Sequence, residues 1–146
     1  MTTEFEQDLK RCRADIAAAR DELLAVVRPL RDEDLDRGSR GGWTVRRVLE
    51  HIIWHELIYV RLSTHIRGWP VPRDPIESTP SSAADALERL AASRAALLQT
   101  VDGVDEESFY RLTSFGQEEY SLLSMLENET NHEREHAEQI KKTVAV

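Results

Sequence analysis

Cysteine is almost absent from this chain of 146 residues. Cys12 stands alone, which excludes an internal disulfide and any cysteine-based zinc cluster. Its place on the apolar face of the first helix makes a buried, inert thiol the expected state. The chain also lacks an apolar N-terminal run of the kind that directs secretion, and any stretch long enough to span a bilayer. A cytoplasmic location with no membrane partner is therefore expected. Clustered lysine and arginine are missing as well, and a formal net charge of -8 argues against a general nucleic-acid surface. The length suits a single domain over residues 1–146 with one sizeable core.

What the chain does have is helical periodicity. Thr3 and Glu6 form a capping-box pattern, and Phe5, Leu9, Cys12, Ile16, Ala19, Leu23 and Val27 follow at spacings of three and four, predicting a helix that ends near Pro29. RDEDLDRGSRGG, residues 31–42, reads as a connection with one short turn at DEDL. A second helix opens at Thr44, after Trp43, and its apolar arc runs from Val45 to about Ile66. GWPVPRDPIESTP, residues 68–80, holds four of the five prolines and cannot be regular helix or central strand, so it reads as a long crossover. A third helix is capped by Ser82 with Asp85 three positions on, and Arg94 breaks its stripe. The expected state of Arg94 is a stem packed on the core with its head in water. DEESF, residues 105–109, echoes DEDL, and Tyr120 with Ser121 echoes Trp43 with Thr44 ahead of a fourth helix reaching about Thr143. The chain thus reads as two related halves. Four amphipathic helices with no convincing strand give an all-α four-helix bundle with a long crossover between helices two and three.

Two histidine pairs interrupt this pattern. In NHEREHAEQI, residues 131–140, His132 and His136 lie four apart and project from one face of the last helix. Such a pair taken alone is more often structural than functional. A second pair, His51 and His55 in HIIWH, gives it weight. His51 lies roughly 10 Å into helix two and His136 about as far from the end of helix four. If those helices are antiparallel, His51, His132 and His136 share one layer. Three imidazoles with one side open suit a divalent ion. In the same arrangement His55 and Glu129 lie one turn deeper and face each other, Glu129 either orienting a ligand or satisfying His55. HEREH also fits the HExxH pattern of zinc proteases through Glu133 and the inverted pattern through Glu135, yet both acids read more simply as a solvated face with Arg134. Glu129 with His132 has the Glu-x-x-His spacing of di-iron bundles, but Val48 and Ile52 stand where helix two needs the second acid.

A histidine following WTVRRVLEHII, with HxxxH late in the fourth helix, resembles the DinB-like family of bacterial four-helix-bundle proteins, which includes the bacillithiol and mycothiol transferases. The likeness covers nearly the whole chain. It implies an up-down-down-up bundle, a divalent metal on His51, His132 and His136, and a homodimer. Function then reads as metal-dependent transfer of a low-molecular-weight thiol to a small electrophile, with zinc the default ion and nickel an alternative. The rival readings are a metal-dependent hydrolase and a non-catalytic metal-containing binding or stress protein.

Overall fold

The computed structural model describes residues 2–38 and 40–145. Helices α1 (Glu4–Val27), α2 (Val45–Ile66), α3 (Ala83–Val101) and α5 (Leu122–Val144) form the bundle, and a five-residue helix α4 (Glu106–Tyr110) precedes the last of them. Each long helix starts where its sequence supplies a side-chain acceptor. Thr3, Thr44, Ser82 and Ser121 accept from the backbone N–H groups of Glu6, Arg47, Asp85 and Ser124. Helix α2 stops at Gly68, whose φ of 71° lets the chain turn back so that Trp69 N–H donates to Thr64 O. DEDL winds into a 3-10 turn over Asp32–Asp36. Among the described residues, no helix is long and apolar enough to cross a membrane.

Cross-helix contacts give the direction of each element. Arg11 meets Glu127 and Glu22 meets Arg134, so α1 and α5 run parallel. Glu56 meets Ser93 and Ser63 meets Thr100, so α2 and α3 also run parallel, whereas His51 faces His132 across an antiparallel α2–α5 pair. The topology is up-down-down-up, and the crossover of residues 67–82 is what lets α3 follow α2 in the same direction. Arginines pin that segment by its carbonyls: Arg46 donates to Pro80 O, Arg61 to Asp74 O and Arg89 to Glu77 O.

One expectation fails in the connection to α5. Thr113–Phe115 and Glu118–Tyr120 pair as an antiparallel hairpin, where the sequence pattern shows no convincing strand. Three-residue strands are too short to display an alternation, and the turn depends on Gly116 at φ 67°.

The larger surprise lies at the centre. The apolar core is two clusters, one around Leu23, Val27, Leu35, Val45, Val48 and Leu49, the other around Leu97, Val101, Phe109, Leu122, Met125 and Leu126. Between them lies a layer of buried charge. Arg20 donates from Nε to Glu133 at 2.8 Å, from Nη2 to Glu56 at 2.8 Å and from Nη1 to the carbonyl of Leu90 at 2.7 Å. Arg94 donates from Nε to Glu56 at 2.7 Å, from Nη1 to the carbonyl of Ile16 at 2.9 Å, and from Nη2 to Glu133. The expected solvated head of Arg94 and solvated Glu133 are both corrected here. Glu56, Glu129 and Glu133 are fully buried, and Arg94 is only 8% exposed. A guanidinium can enter the core because its planar fork meets carboxylates and carbonyls, each of its three nitrogens donating to a partner.

The two arginines are related by a pseudo-two-fold axis through this layer. Arg20 corresponds to Arg94, Glu133 to Glu56 and Leu90 to Ile16, and every bond of one arginine has its counterpart in the other. At the same offsets Val27 pairs with Val101, Leu35 with Phe109, Thr44 with Ser121 and Val48 with Met125, so the two core clusters are mates. The two-halves reading of the sequence is structural fact.

Replacing Arg94 by Met should cost about 3–5 kcal/mol, because Glu56 and Glu133 would each lose a buried counter-charge. Arg134→Ala, which removes the exposed Arg134–Glu22 pair, should cost less than about 1 kcal/mol. Urea denaturation compares the two, and equal small losses would show that the central layer contributes no such coupling.

Candidate metal centre

The α2–α5 seam gathers four imidazoles. His51 comes from the second turn of α2 and His55 from one turn further. His132 lies near the middle of α5 and His136 one turn beyond it, and the antiparallel pairing sets these two turns against those of His55 and His51. The Nε2 of His132 lies 3.0 Å from the Nε2 of His51 and 3.1 Å from the Nε2 of His136. Three nitrogens at roughly 2.0–2.1 Å from one ion sit about 3.0–3.4 Å apart in octahedral or tetrahedral geometry, so these spacings suit a shared divalent ion. They suit hydrogen bonding less well, since a neutral imidazole carries one N–H. His136 must keep its proton on Nδ1, because that atom lies 2.7 Å from Gln139 Oε1, which can only accept. Its Nε2 therefore presents a lone pair inward.

Burial favours the neutral form of His51, His55 and His132. Burial lowers the pKa of His51, with His136 and Arg47 adding to the effect and Glu50 opposing it. Burial, then the neighbouring imidazoles, push His132 down to about 3, and His55 falls to about 4 for the same reasons. Neutral, converging imidazoles are the protonation state that a metal requires. His51, His132 and His136 form one group whose ligand atoms lie within 4.8 Å of one another.

His55 and Glu129 support this group without joining it in the same way. Glu129 Oε2 lies 3.0 Å from His55 Nδ1, so the acid engages His55 and orients no member of the trio directly. The His55 ring stacks on His132 with centroids 3.8 Å apart. Burial, together with the charges of Glu56 and Glu133, raises the pKa of Glu129 well above the usual carboxylate range. Burial thus favours its protonated form. Among the described residues its Oε1 has no hydrogen-bond partner. Glu56 stays ionised: burial works against it, but Arg20 and Arg94 outweigh the penalty and lower its pKa. Each guanidinium thus bridges Glu56 and Glu133, which keeps buried charge beside its partners.

A profile of the DinB superfamily matches residues 15–140, a span that includes every histidine described above. The chain belongs to the DinB superfamily. Among solved structures, the DinB-superfamily chain resembles one described as "Crystal structure of TT2238, a four-helix bundle protein", with a TM-score of 0.70 and 22% identity over 90% of this chain and 96% of that one. That likeness is one of fold. No curated protein matches the chain.

The remaining sequence candidates separate cleanly. Glu133 accepts from both buried arginines, so it cannot serve as the base of an HExxH protease, and Glu135 is exposed on the far side of the helix turn. Val48 and Ile52 are buried among apolar side chains, which leaves α2 without the acid a di-iron centre needs there. Reading the sequence missed Gln139, Arg20 and Glu56. Gln139 was discoverable, since it lies three residues after His136 and shares its face.

In the metal-free protein, stability should fall as pH drops from 6.5 toward 4. The unfolded chain titrates its imidazoles near 6.5, but His55 and His132 resist protonation down to about 4 and about 3. Glu129 acts in the opposite sense, its contribution being fully present below about 4.5 and lost as pH rises through its elevated value. Urea midpoints measured between pH 7 and 4.5 should decline in the native chain and flatten in His132→Phe. A midpoint unaffected by pH in the native chain would mean that the rings are not held neutral.

Proposed function

We propose that this chain is a divalent-metal-dependent enzyme that joins an intact small thiol, through its sulfur, to a small electrophile, the thiol losing its proton and the electrophile any leaving group. The observation that carries the reading is the convergence of three imidazole Nε2 atoms on one point at the half-buried α2–α5 seam. His51, His132 and His136 would hold the ion, zinc by default, leaving further coordination positions for a substrate. A bound divalent ion supplies Lewis acidity that lowers a thiol's pKa, making its sulfur nucleophilic near neutral pH.

The chain's own residues then have distinct tasks. Gln139 holds the proton of His136 on Nδ1, keeping Nε2 free to ligate. His55, anchored by Glu129, forms the plate against which the His132 ring is fixed. All three ligands act through lone pairs and none needs to exchange a proton. The thiol proton leaves to solvent at the half-open side.

The placement of Glu129 favours thiol transfer over hydrolysis. A hydrolase would need a carboxylate within reach of water at the centre, but Glu129 is fully buried and bonded to His55. A non-catalytic metal protein would keep the ion and lack the activity.

Protein prepared without a histidine tag should retain about one equivalent of divalent metal by elemental mass spectrometry after dialysis against a mild chelator. His51→Ala should lose as much metal as His136→Ala, and His65→Ala, at an exposed position of α2, should lose none. Metal retained in full by His51→Ala would rule out the two-helix centre. Retained metal without conjugation of a thiol to electrophiles such as chloro-dinitrobenzene would favour the binding-protein reading.

A further inference from the structure

Four arginines lie along α2 or at its C-terminal cap, and their contacts separate them. Arg46 bonds Pro80 O and Asp36, Arg61 bonds Asp74 O, and Arg67 bonds the carbonyls of Thr100 and Asp102 while covering the Trp69 ring. All three hold loops or helix ends in place. Arg47 differs: its guanidinium lies 5.1 Å from the Trp43 ring centroid and 3.6 Å from Glu50, its side chain 57% exposed.

Arg47 also lines a recess of about 260 Å³, together with Glu50, His51 and Trp54. These residues recur at helical spacing on one exposed face of α2, over a length of about 10 Å. His51 is shared between the recess and the histidine centre. The Trp54 ring stacks along His51 at 6.4 Å between centroids, and Trp43 meets the same ring edge to face at 5.3 Å. Two tryptophans, 40% and 43% exposed, thus flank one candidate ligand, an uncommon placement for aromatic surface that serves only packing.

The charges of the recess indicate what it would take. A lone arginine would attract any anion, but Arg47 is paired with Glu50 and the recess is close to neutral. A simple anion would have to compete with Glu50 and then face its charge. A zwitterion meets both groups at once, exchanging one intramolecular ion pair for two intermolecular ones. We propose that this recess binds the zwitterionic head of an amino-acid-like thiol, its carboxylate on Arg47 and its ammonium on Glu50, with Trp54 as the wall and its sulfur directed past His51. The proposal rests on the metal–thiol reading above and adds the class of thiol.

The test uses the full chain loaded with cobalt(II) and four thiols: homocysteine, 3-mercaptopropionate, cysteamine and 2-mercaptoethanol. Dissociation constants come from the cobalt absorbance and, separately, from tryptophan fluorescence. Homocysteine should bind roughly tenfold or more tightly than 2-mercaptoethanol. Arg47→Ala should weaken homocysteine and 3-mercaptopropionate by roughly tenfold and leave cysteamine unchanged. Glu50→Gln should weaken homocysteine and cysteamine, with 3-mercaptopropionate no weaker than before. Dependence on Glu50 separates recognition of an ammonium from chelation by a free amine. Four thiols binding alike, or an Arg47→Ala loss equal for all four, would overturn the zwitterion site and leave the metal–thiol reading standing. If no thiol perturbs the cobalt spectrum, the metal–thiol reading fails instead. Methionine quenching of tryptophan fluorescence then decides the recess: quenching lost in Arg47→Ala upholds it, and absence of quenching in the native chain refutes it.

Discussion

Two guanidiniums cross the middle of this bundle, and the rest of the molecule is arranged to accommodate them. Desolvating Arg20 and Arg94 beside Glu56 and Glu133 is tolerable only because each arginine satisfies two carboxylates and one backbone carbonyl of the opposite helix. Those carbonyl bonds run reciprocally between α1 and α3, so polar cross-links join two helices whose apolar residues otherwise face inward toward α2 and α5. Geometry this demanding fixes the relative height of all four helices. A one-turn slip of any helix would leave a charge in the core without its counterpart.

The same layer governs the chemistry above it. Arg20 and Arg94 are both engaged by Glu56 and Glu133, and burial beside those two acids raises the pKa of the third carboxylate, Glu129. Glu129 bonds His55, and His55 in turn supports the His132 ring. Helix register, protonation state and imidazole orientation are thus consequences of one network. The histidine centre sits where that network meets the half-exposed edge of the α2–α5 seam.

Most of the scaffold could be read from local signals. Thr3, Thr44, Ser82 and Ser121 mark their helix starts by residue type, the prolines of residues 68–80 mark the crossover, and counting turns from the helix ends brings His51 level with His132 and His136. The central layer could not be read so easily, because a charged residue within a stripe is ordinarily a solvated one. Arg94 and Glu133 were placed in water on that ground, and Arg20 and Glu56 passed without notice. Their burial depends on contacts between four helices, information absent from any single one. A signal did exist at the level of the repeat: Arg20 and Arg94, and likewise Glu56 and Glu133, hold corresponding positions in the two halves. Charges that recur in register where only core residues otherwise do are facing each other.

The pseudo-two-fold axis relates the scaffold but does not carry over the chemistry. His132 has His55 as its mate, and the two rings stack near the axis. His51, however, corresponds to Asn128, and His136 to Tyr59. Glu129, the acid beneath His55, corresponds to Ile52, which is why the Nδ1 of His132 has no hydrogen-bond partner among the described residues. The fold therefore offers two equivalent flanks and equips one of them. A symmetric framework thus acquires a front, where three imidazoles converge, and a back, where Asn128 and Tyr59 hold the corresponding positions.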